Sequence, residues 1–389
     1  MCLMLRYLTS GESHGNSLTA IIDGIPAGLP LIPVDINRDL ARRQIGYGRG
    51  KRMEIEQDEA EISSGVRFGK TLGTPITLVI KNRDWINWQD KMSIEPIEDM
   101  ALSPLTNPRP GHADLSGALK YDLKDIRNVL ERASARETTT RVAVGSVCRK
   151  LLEQFNIKVF SYVIEIGGIR ADIEGQSAVN LSKKAERSLL RCPCHETEKK
   201  IIKLIDTARA DGDSLGGIFE IIVSGVPPGL GSYSQWDARL DGRLSRSLMS
   251  IQAIKGVEIG IGFNAARFPG SRVHDQIYYN KHTGFYRKTN NAGGIEGGMS
   301  TGASIVLRAA MKPIATLYSP LKSVDIVTKK SVKATVERSD ICRVPSAAVI
   351  GEAMVCVEIA GAFLEKFGGD SMREISRNYK GYLKQLKAF

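Results

Sequence analysis

Two kinds of apolar segment run along the chain, and they predict different elements. "PITLVIKN", "VFSYVIEIGG", "GGIFEIIVSGVP", "VEIGIGF" and "GASIVLRAAM" are short, β-branched and bounded by Gly, Pro or Asn, a pattern that predicts strands. Ser134 to Phe155, Trp236 to Ile254 and Ser346 to Phe367 are longer, with apolar residues recurring at three and four, which predicts helices. No regular βαβ alternation connects them. Strands dominate the polar, Gly-rich regions and helices separate them, so the pattern predicts an α+β fold with sheets packed in layers.

The 389 residues show no Pro/Ser-rich linker, low-complexity run or shift in composition, and one domain over residues 1–389 is predicted. The longest apolar stretch, "AAVIGEAMVCVEIAGAFLEKF", is interrupted by Glu352 and Glu358 and falls short of about 18 uninterrupted apolar residues. The apolar run Met1 to Leu5 is too short for a signal-peptide core. A cytoplasmic protein without a membrane partner is expected. The six cysteines in a chain of this kind read as reduced thiols.

Charge sharpens the picture. The net charge of +11 implies an acidic partner, but aromatics are only 6% of the residues and no single-strand stacking signature is present, so nucleic acid is not expected. "NRDLARRQIGYGRGKR" concentrates Arg38, Arg42, Arg43, Arg49, Lys51 and Arg52, and its interleaved Gly46, Gly48 and Gly50 favour a loop folded round a compact anion. The cluster does not lie between a strand and a helix as a dinucleotide fingerprint requires.

Of five histidines, His14 in "GESHGNSLTAIIDGIP" and His112 in "NPRPGHADLSG" each follow a glycine closely, beside acids. Either could be a turn histidine capping a backbone group, but two in such similar settings, one with Arg109 three residues away, point to proton transfer. His274 and His282 read as surface residues. Cys192, Cys194 and His195 supply at most three ligands at an unusual spacing, so no metal site is expected. "VLERASARETTTRVAVG" gathers Arg132, Ser134, Arg136 and Glu137 at a predicted helix start, where backbone N–H groups and arginines can hold an oxyanion. "ATVERSDICRVPSAAVIGEAM" places Arg338, Ser339 and Asp340 at a predicted strand end before a helix, and the glycines of "TNNAGGIEGGMSTG" allow close approach to a flat ligand.

These segments carry a resemblance. "GESHGNSLTAIIDGIP", "LERASARETTTRVAVG" and "RSDICRVPSAAVIGEAM" resemble signatures of the chorismate synthase family, and "RRQIGYGRGKRM", "RPGHADL", "DGDSLGG", "TNNAGGIEGGM" and "MKPIATL" resemble its intervening blocks, in order. The match runs from Arg6 to about residue 367 and is weakest from about Ser177 to Lys203.

The resemblance implies a 1,4-anti elimination of phosphate from 5-enolpyruvylshikimate 3-phosphate, giving chorismate, with reduced FMN required and no net redox change. It implies that His14 sits by the flavin and protonates or stabilises it, that His112 protonates the leaving phosphate, and that Asp340 assists removal of the ring proton through the flavin's N5. Arg49, Arg52, Arg109 and Arg136 would hold the anionic substrate. FMN would be held by Arg132, Ala133 and Ser134, by Gln252 and Ala253, by Gly297, by Lys312, Pro313, Ile314, Ala315 and Thr316, and by Arg338. Arg43 and Arg49 match positions linked to NADP, with NADPH as a source of reducing equivalents; no added reductase domain is seen, which favours an external flavin reductase. A homotetramer is implied, with a layered β-α-β sandwich of two central antiparallel four-stranded sheets flanked by helices. A flavin-dependent oxidoreductase and a basic nucleic-acid binder remain the alternatives.

Overall fold

The computed structural model describes residues 5–49, 57–96 and 104–389. One sheet comprises β1 (Arg6–Ser10), β2 (Ser17–Asp23), β3 (Ala60–Ser64) and β4 (Ile76–Lys81), in the order β1-β2-β4-β3. The other comprises β5 (Lys158–Ile166), β6 (Ile169–Arg170), β7 (Gly217–Ser224), β8 (Ile254–Ile259) and β9 (Ile305–Met311), in the order β8-β9-β7-β5-β6. All neighbours within both sheets are antiparallel. The five strand segments read from the sequence are β4, β5, β7, β8 and β9.

Among the described residues, the helices of seven residues or more are α1 (Pro33–Gln44), α2 (Asp114–Tyr121), α3 (Arg127–Ala133), α4 (Thr138–Glu153), α5 (Ala178–Ala185), α6 (His195–Ala210), α7 (Leu240–Met249), α8 (Val344–Phe367) and α9 (Met372–Ala388). The fold is α+β as expected, with the β-α-β layering of the expected sandwich: helices lie between the two sheets. Helices α4 and α8 pack on each other between the sheets, α4 against β2 and α8 against β5 and β7. The physical reason is α8 itself: every residue in it except Glu358, Glu365 and Lys366 is buried, and a helix apolar on all sides must be covered on all sides. By length and composition α8 could cross a membrane; here it is the core. The second sheet has five strands rather than four.

Close packing of the central pair depends on one missing side chain. A Cβ on Gly145 of α4 would stand 2.4 Å from the Cβ of Ala353 on α8, so only glycine permits this approach. Leu18, Ala20 and Ile22 of β2 and Ile76, Leu78 and Ile80 of β4 alternate inward toward the same core, at the two-residue period of a half-buried strand.

Two boundaries differ from the sequence reading. The helix expected from Trp236 to Ile254 is only α7: Trp236–Ala238 is a separate 3-10 turn cut off by the extended Arg239, and beyond Met249 Ala253, at φ +68°, turns the chain into β8. The strand read as "VEIGIGF" stops at Ile259, because Gly260 and Gly262 take positive φ (+60° and +51°) and lead into a 3-10 turn. Ser134 does mark a helix start: its Oγ accepts from the Arg136 N–H at 3.3 Å, and a 3-10 turn, Ala135–Glu137, leads into α4.

The charge that interrupts α8 has a structural explanation. Glu352, 0% exposed, accepts hydrogen bonds from Arg42 of α1 (2.9 and 3.0 Å), Arg149 of α4 (2.6 Å), Arg191 (3.1 Å) and the Ser161 hydroxyl of β5 (2.6 Å). One carboxylate thereby ties two helices, a strand and a loop to the central helix. Burial alone would raise its pKa, but the guanidinium groups of Arg42, Arg149 and Arg191 prevail and hold it well below the ordinary carboxylate range.

Candidate active site

A cavity of about 470 Å³ opens where the β1–β2 turn, the turn before α2, the α3–α4 junction, the turn after α7 and the loop after β9 meet. His14 enters from the β1–β2 turn. That turn begins at Gly11, whose φ of +102° and lack of a side chain are both needed, since a Cβ there would stand 2.3 Å from the Ser17 carbonyl. The His14 backbone N–H donates to Glu131 Oε2 and its Nδ1 lies on Glu131 Oε1, each at 2.8 Å. The ring stacks on Trp88 with centroids 3.8 Å apart. With Nδ1 held by a buried carboxylate, proton exchange with a ligand falls to Nε2.

His112 is held in the same manner. Its Nδ1 is 2.5 Å from Asp114 Oδ1, and Asp114 also accepts from Arg109 Nε (2.8 Å) and Nη2 (3.0 Å). Arg109 Nη1 in turn donates to the Thr316 hydroxyl at 2.8 Å, which joins this turn to the loop after β9. Burial works against ionisation of Asp114, yet hydrogen bonds from His112 and Arg109 pull its pKa far below the ordinary value. The cavity therefore has two histidines, each oriented by its own buried acid.

Of the residues expected to hold a cofactor, Ala133, Ser134, Gln252, Ala253, Lys312, Ile314, Ala315, Thr316 and Arg338 line the cavity. Their chemistry suits a flat ring carrying a phosphate. Leu130, Met249, Ile251, Ile254, Met311 and Trp88 supply apolar wall, while Lys255 and Lys312 stand together on it. Burial, and then the charge of Lys255, push the Lys312 ammonium below its usual pKa, a tension that a bound anion would relieve.

Several expected residues lie elsewhere. Pro313 is exposed between two lining residues. Arg132 is turned away: it donates to the Thr9 carbonyl (2.9 Å) and Gly11 carbonyl (3.1 Å), bracing the turn that carries His14. Gly297 does not reach the cavity. The α7 N-terminus bonds to the Gly298 carbonyl, while Met249 at the other end lines the cavity, a separation of about 15 Å for a helix of this length. Arg52 lies outside the described residues.

Arg43, Arg49, Arg136 and Asp340 are buried just behind the wall in two clusters. Asp58 pairs with both Arg43 Nη1 (3.2 Å) and Arg136 Nη1, and Asp340 pairs with both Arg49 Nε (3.3 Å) and Arg343 Nε (2.6 Å). The clusters touch: Arg49 Nη1 donates to the Ser346 hydroxyl, which donates to the Arg43 carbonyl at 2.6 Å. Among the described residues each sets two cations on one carboxylate. Burial, with mutual repulsion among these arginines, lowers the pKa of Arg43 and Arg49 despite their acidic partners. Sequence reasoning missed Trp88, Glu131, Asp114, Asp58, Lys255 and Arg343. In the weakly matched segment, Cys192 is buried and Cys194 partly exposed at the start of α6, both as free thiols, and His195 is exposed.

A layered α+β scaffold with two carboxylate-held histidines and surplus buried arginine charge around one cavity defines an enzyme that moves protons on a small polyanion. Comparison with known proteins gives the particular family. The chorismate synthase family model matches residues 5–364. The chain is 58% identical to a chorismate synthase of Geobacter sulfurreducens, over 99% of this chain and 100% of that one. It is 54% identical to one of Aquifex aeolicus, over 99% of each. A crystal structure of a chorismate synthase, 45% identical, superposes with a TM-score of 0.82 over 100% of both chains. The chain belongs to the chorismate synthase family, and its reaction is the conversion of 5-enolpyruvylshikimate 3-phosphate to chorismate, a phosphate-lyase step of aromatic amino-acid biosynthesis.

Proposed function

We propose that the cavity receives reduced FMN and 5-enolpyruvylshikimate 3-phosphate together, and that His14, His112 and Asp340 divide the proton work of a 1,4-anti elimination. When bound, reduced FMN supplies the electron density that lets an unactivated C–H bond break, which no side chain here can supply. Ala133, Ser134, Gln252, Ala253, Arg338 and the segment Lys312 to Thr316 hold it, with Lys255 and Lys312 at its anionic end. His112, its Nδ1 on Asp114, gives a proton from Nε2 to the departing phosphate. Arg109 beside it neutralises the charge that develops there. His14, backed by Glu131, holds a proton against the cofactor ring. Asp340, with Arg49 as its countercharge, is the carboxylate that assists loss of the ring proton.

The observation that most supports this reading is the pair of carboxylate-held histidines on opposite turns of one cavity. The decisive experiment is anaerobic. Protein with chemically reduced FMN and substrate is expected to form chorismate, followed by absorbance; oxidised FMN with NADPH as the only reductant is expected to form none. The second expectation rests on Arg43 and Arg49, which belong to the substrate pocket in this reading, 4% and 8% exposed at the side chain and engaged with Asp58 and Asp340. Flavin reduction is then the task of an external reductase. Product in the second arm would instead assign reductase activity to the chain; stoichiometric oxidation of flavin in the first would favour a flavin oxidoreductase. We further propose a single-domain chain, a homotetramer and a cytoplasmic location, the assembly being checked by its native mass.

Arg136→Ala is expected to weaken substrate binding by about 1.5–3 kcal/mol, the worth of one charge-assisted hydrogen bond. Titration calorimetry measures it. An affinity equal to wild type would remove Arg136 from the pocket and leave it a structural residue that holds Asp58 and Asn82.

A further inference from the structure

Beside Asp340 the cavity carries a cation to which no role has been given. Arg343 immediately precedes α8 and lines the cavity, its side chain 27% exposed. Its Nε is 2.6 Å from Asp340 Oδ2, and the same oxygen is 3.3 Å from Arg49 Nε. Asp340 is 3% exposed, so among the described residues a single buried carboxylate faces two guanidinium groups, and Arg49 alone would neutralise it. Arg343 is therefore surplus to the needs of Asp340. Its Nη1 and Nη2 make no hydrogen bond among the described residues, although they belong to a side chain on the cavity wall. A guanidinium anchored through Nε keeps its Nη1/Nη2 edge for a second planar or tetrahedral oxyanion, the geometry in which arginine binds carboxylate or phosphate through paired donors.

We propose that Arg343 is a further substrate-binding residue: anchored on Asp340, it receives one carboxylate or phosphate group of the substrate on its Nη edge and so selects for a polyanion beside Asp340. This rests on the cavity being the substrate site, as read above. It also accounts for the surplus charge. With an anion on Arg343, the Arg343–Asp340–Arg49 cluster carries its charges in balance, and Arg49 meets less repulsion from its neighbour.

The test is calorimetric titration of 5-enolpyruvylshikimate 3-phosphate, and separately of inorganic phosphate, into wild type, Arg343→Met and Arg343→Lys, each saturated with oxidised FMN. Arg343→Met is expected to bind substrate about 10-fold or more weakly, with Arg343→Lys intermediate and FMN affinity unchanged in both, which also shows that the variants fold. In turnover, KM rises and kcat stays within about threefold. A matching loss of phosphate affinity assigns the phosphate group to Arg343; loss for the substrate alone assigns a carboxylate. Substrate affinity within twofold of wild type would overturn the inference. So would a fall in kcat at constant KM, which would make Arg343 a positioning residue for Asp340. A wild type that binds no substrate overturns the reading of the cavity instead; Arg343 is then judged on phosphate, whose unchanged affinity in Arg343→Met, or absence of binding in wild type, overturns the inference by itself.

Discussion

His112→Ala and His14→Ala are each expected to slow turnover about 10²-fold or more at saturating reduced FMN and substrate, a barrier increase of about 2.7 kcal/mol or more. The geometry explains why neither loss is replaced by a neighbour. Each ring has its Nδ1 on a buried carboxylate, Glu131 or Asp114, which stands behind the ring and off the cavity wall, so neither acid takes the ring's place. Asp114 in particular keeps the Arg109 guanidinium after His112 is gone, and so stays an anion. The two variants differ in their side effects. His112 is only partly buried, so alanine there removes chemistry and little packing. His14 is 7% exposed and stacked on Trp88, so alanine also strips the ring from Trp88 and from Glu131 Oε1, leaving Glu131 with the residue-14 backbone N–H and Arg127. His14→Asn, which can still donate to Glu131, separates the two: it should recover stability without recovering rate. Single-turnover measurements of chorismate formation check both residues. Wild-type rates in both alanine variants would withdraw the proton-transfer roles altogether.

What could be read in the chain was what lies close together in it. Strands β4, β5, β7 and β9 stand out because β-branched runs end in Gly, Pro or Asn within a few residues, and His14 and His112 because glycines flank them in the sequence. Their partners were not legible for the same reason. Glu131 meets His14 across 117 positions, and Asp58 meets Arg136 across 78, so nothing local announces either pair. The β-α-β layering came from the resemblance and not from periodicity, which tells which face of an element is buried and not what covers it. α8 was readable as a helix, but that it lies between the sheets follows only from where the second sheet packs. Gly297 lies in a recognisable block, yet the length of α7 separates it from the cavity of its own chain. Arg343 lay inside a block read only for Arg338, Ser339 and Asp340, and its importance emerges from the cavity wall.

Glu352→Gln is expected to be the most destabilising single change, costing about 3–5 kcal/mol, because it leaves Arg42, Arg149 and Arg191 around a site with no anion at its centre. Against a typical stability of about 5–15 kcal/mol, that is a large share of the whole. Urea denaturation at pH 7 should show a lower midpoint with an unchanged slope. The pH dependence gives the sharper test, and its sign is fixed. The folded-state pKa of Glu352 lies well below its ordinary 4.5, so its stabilisation is fully present above that value and is lost progressively as pH falls through the window beneath it. Glutamine does not titrate. The gap between wild type and variant should therefore narrow as pH falls from about 5 toward 3, with wild type the steeper of the two. Asp39 and Glu186, whose pKa values are also lowered, titrate in both proteins and give each a further slope; Asp39 loses the repulsion of Glu352 in the variant and titrates lower there, so its share cancels only in part. A gap that stays constant over this window would mean that Glu352 acts through packing and hydrogen bonds alone, and that the acid sensitivity of the core belongs to Asp39 and Glu186.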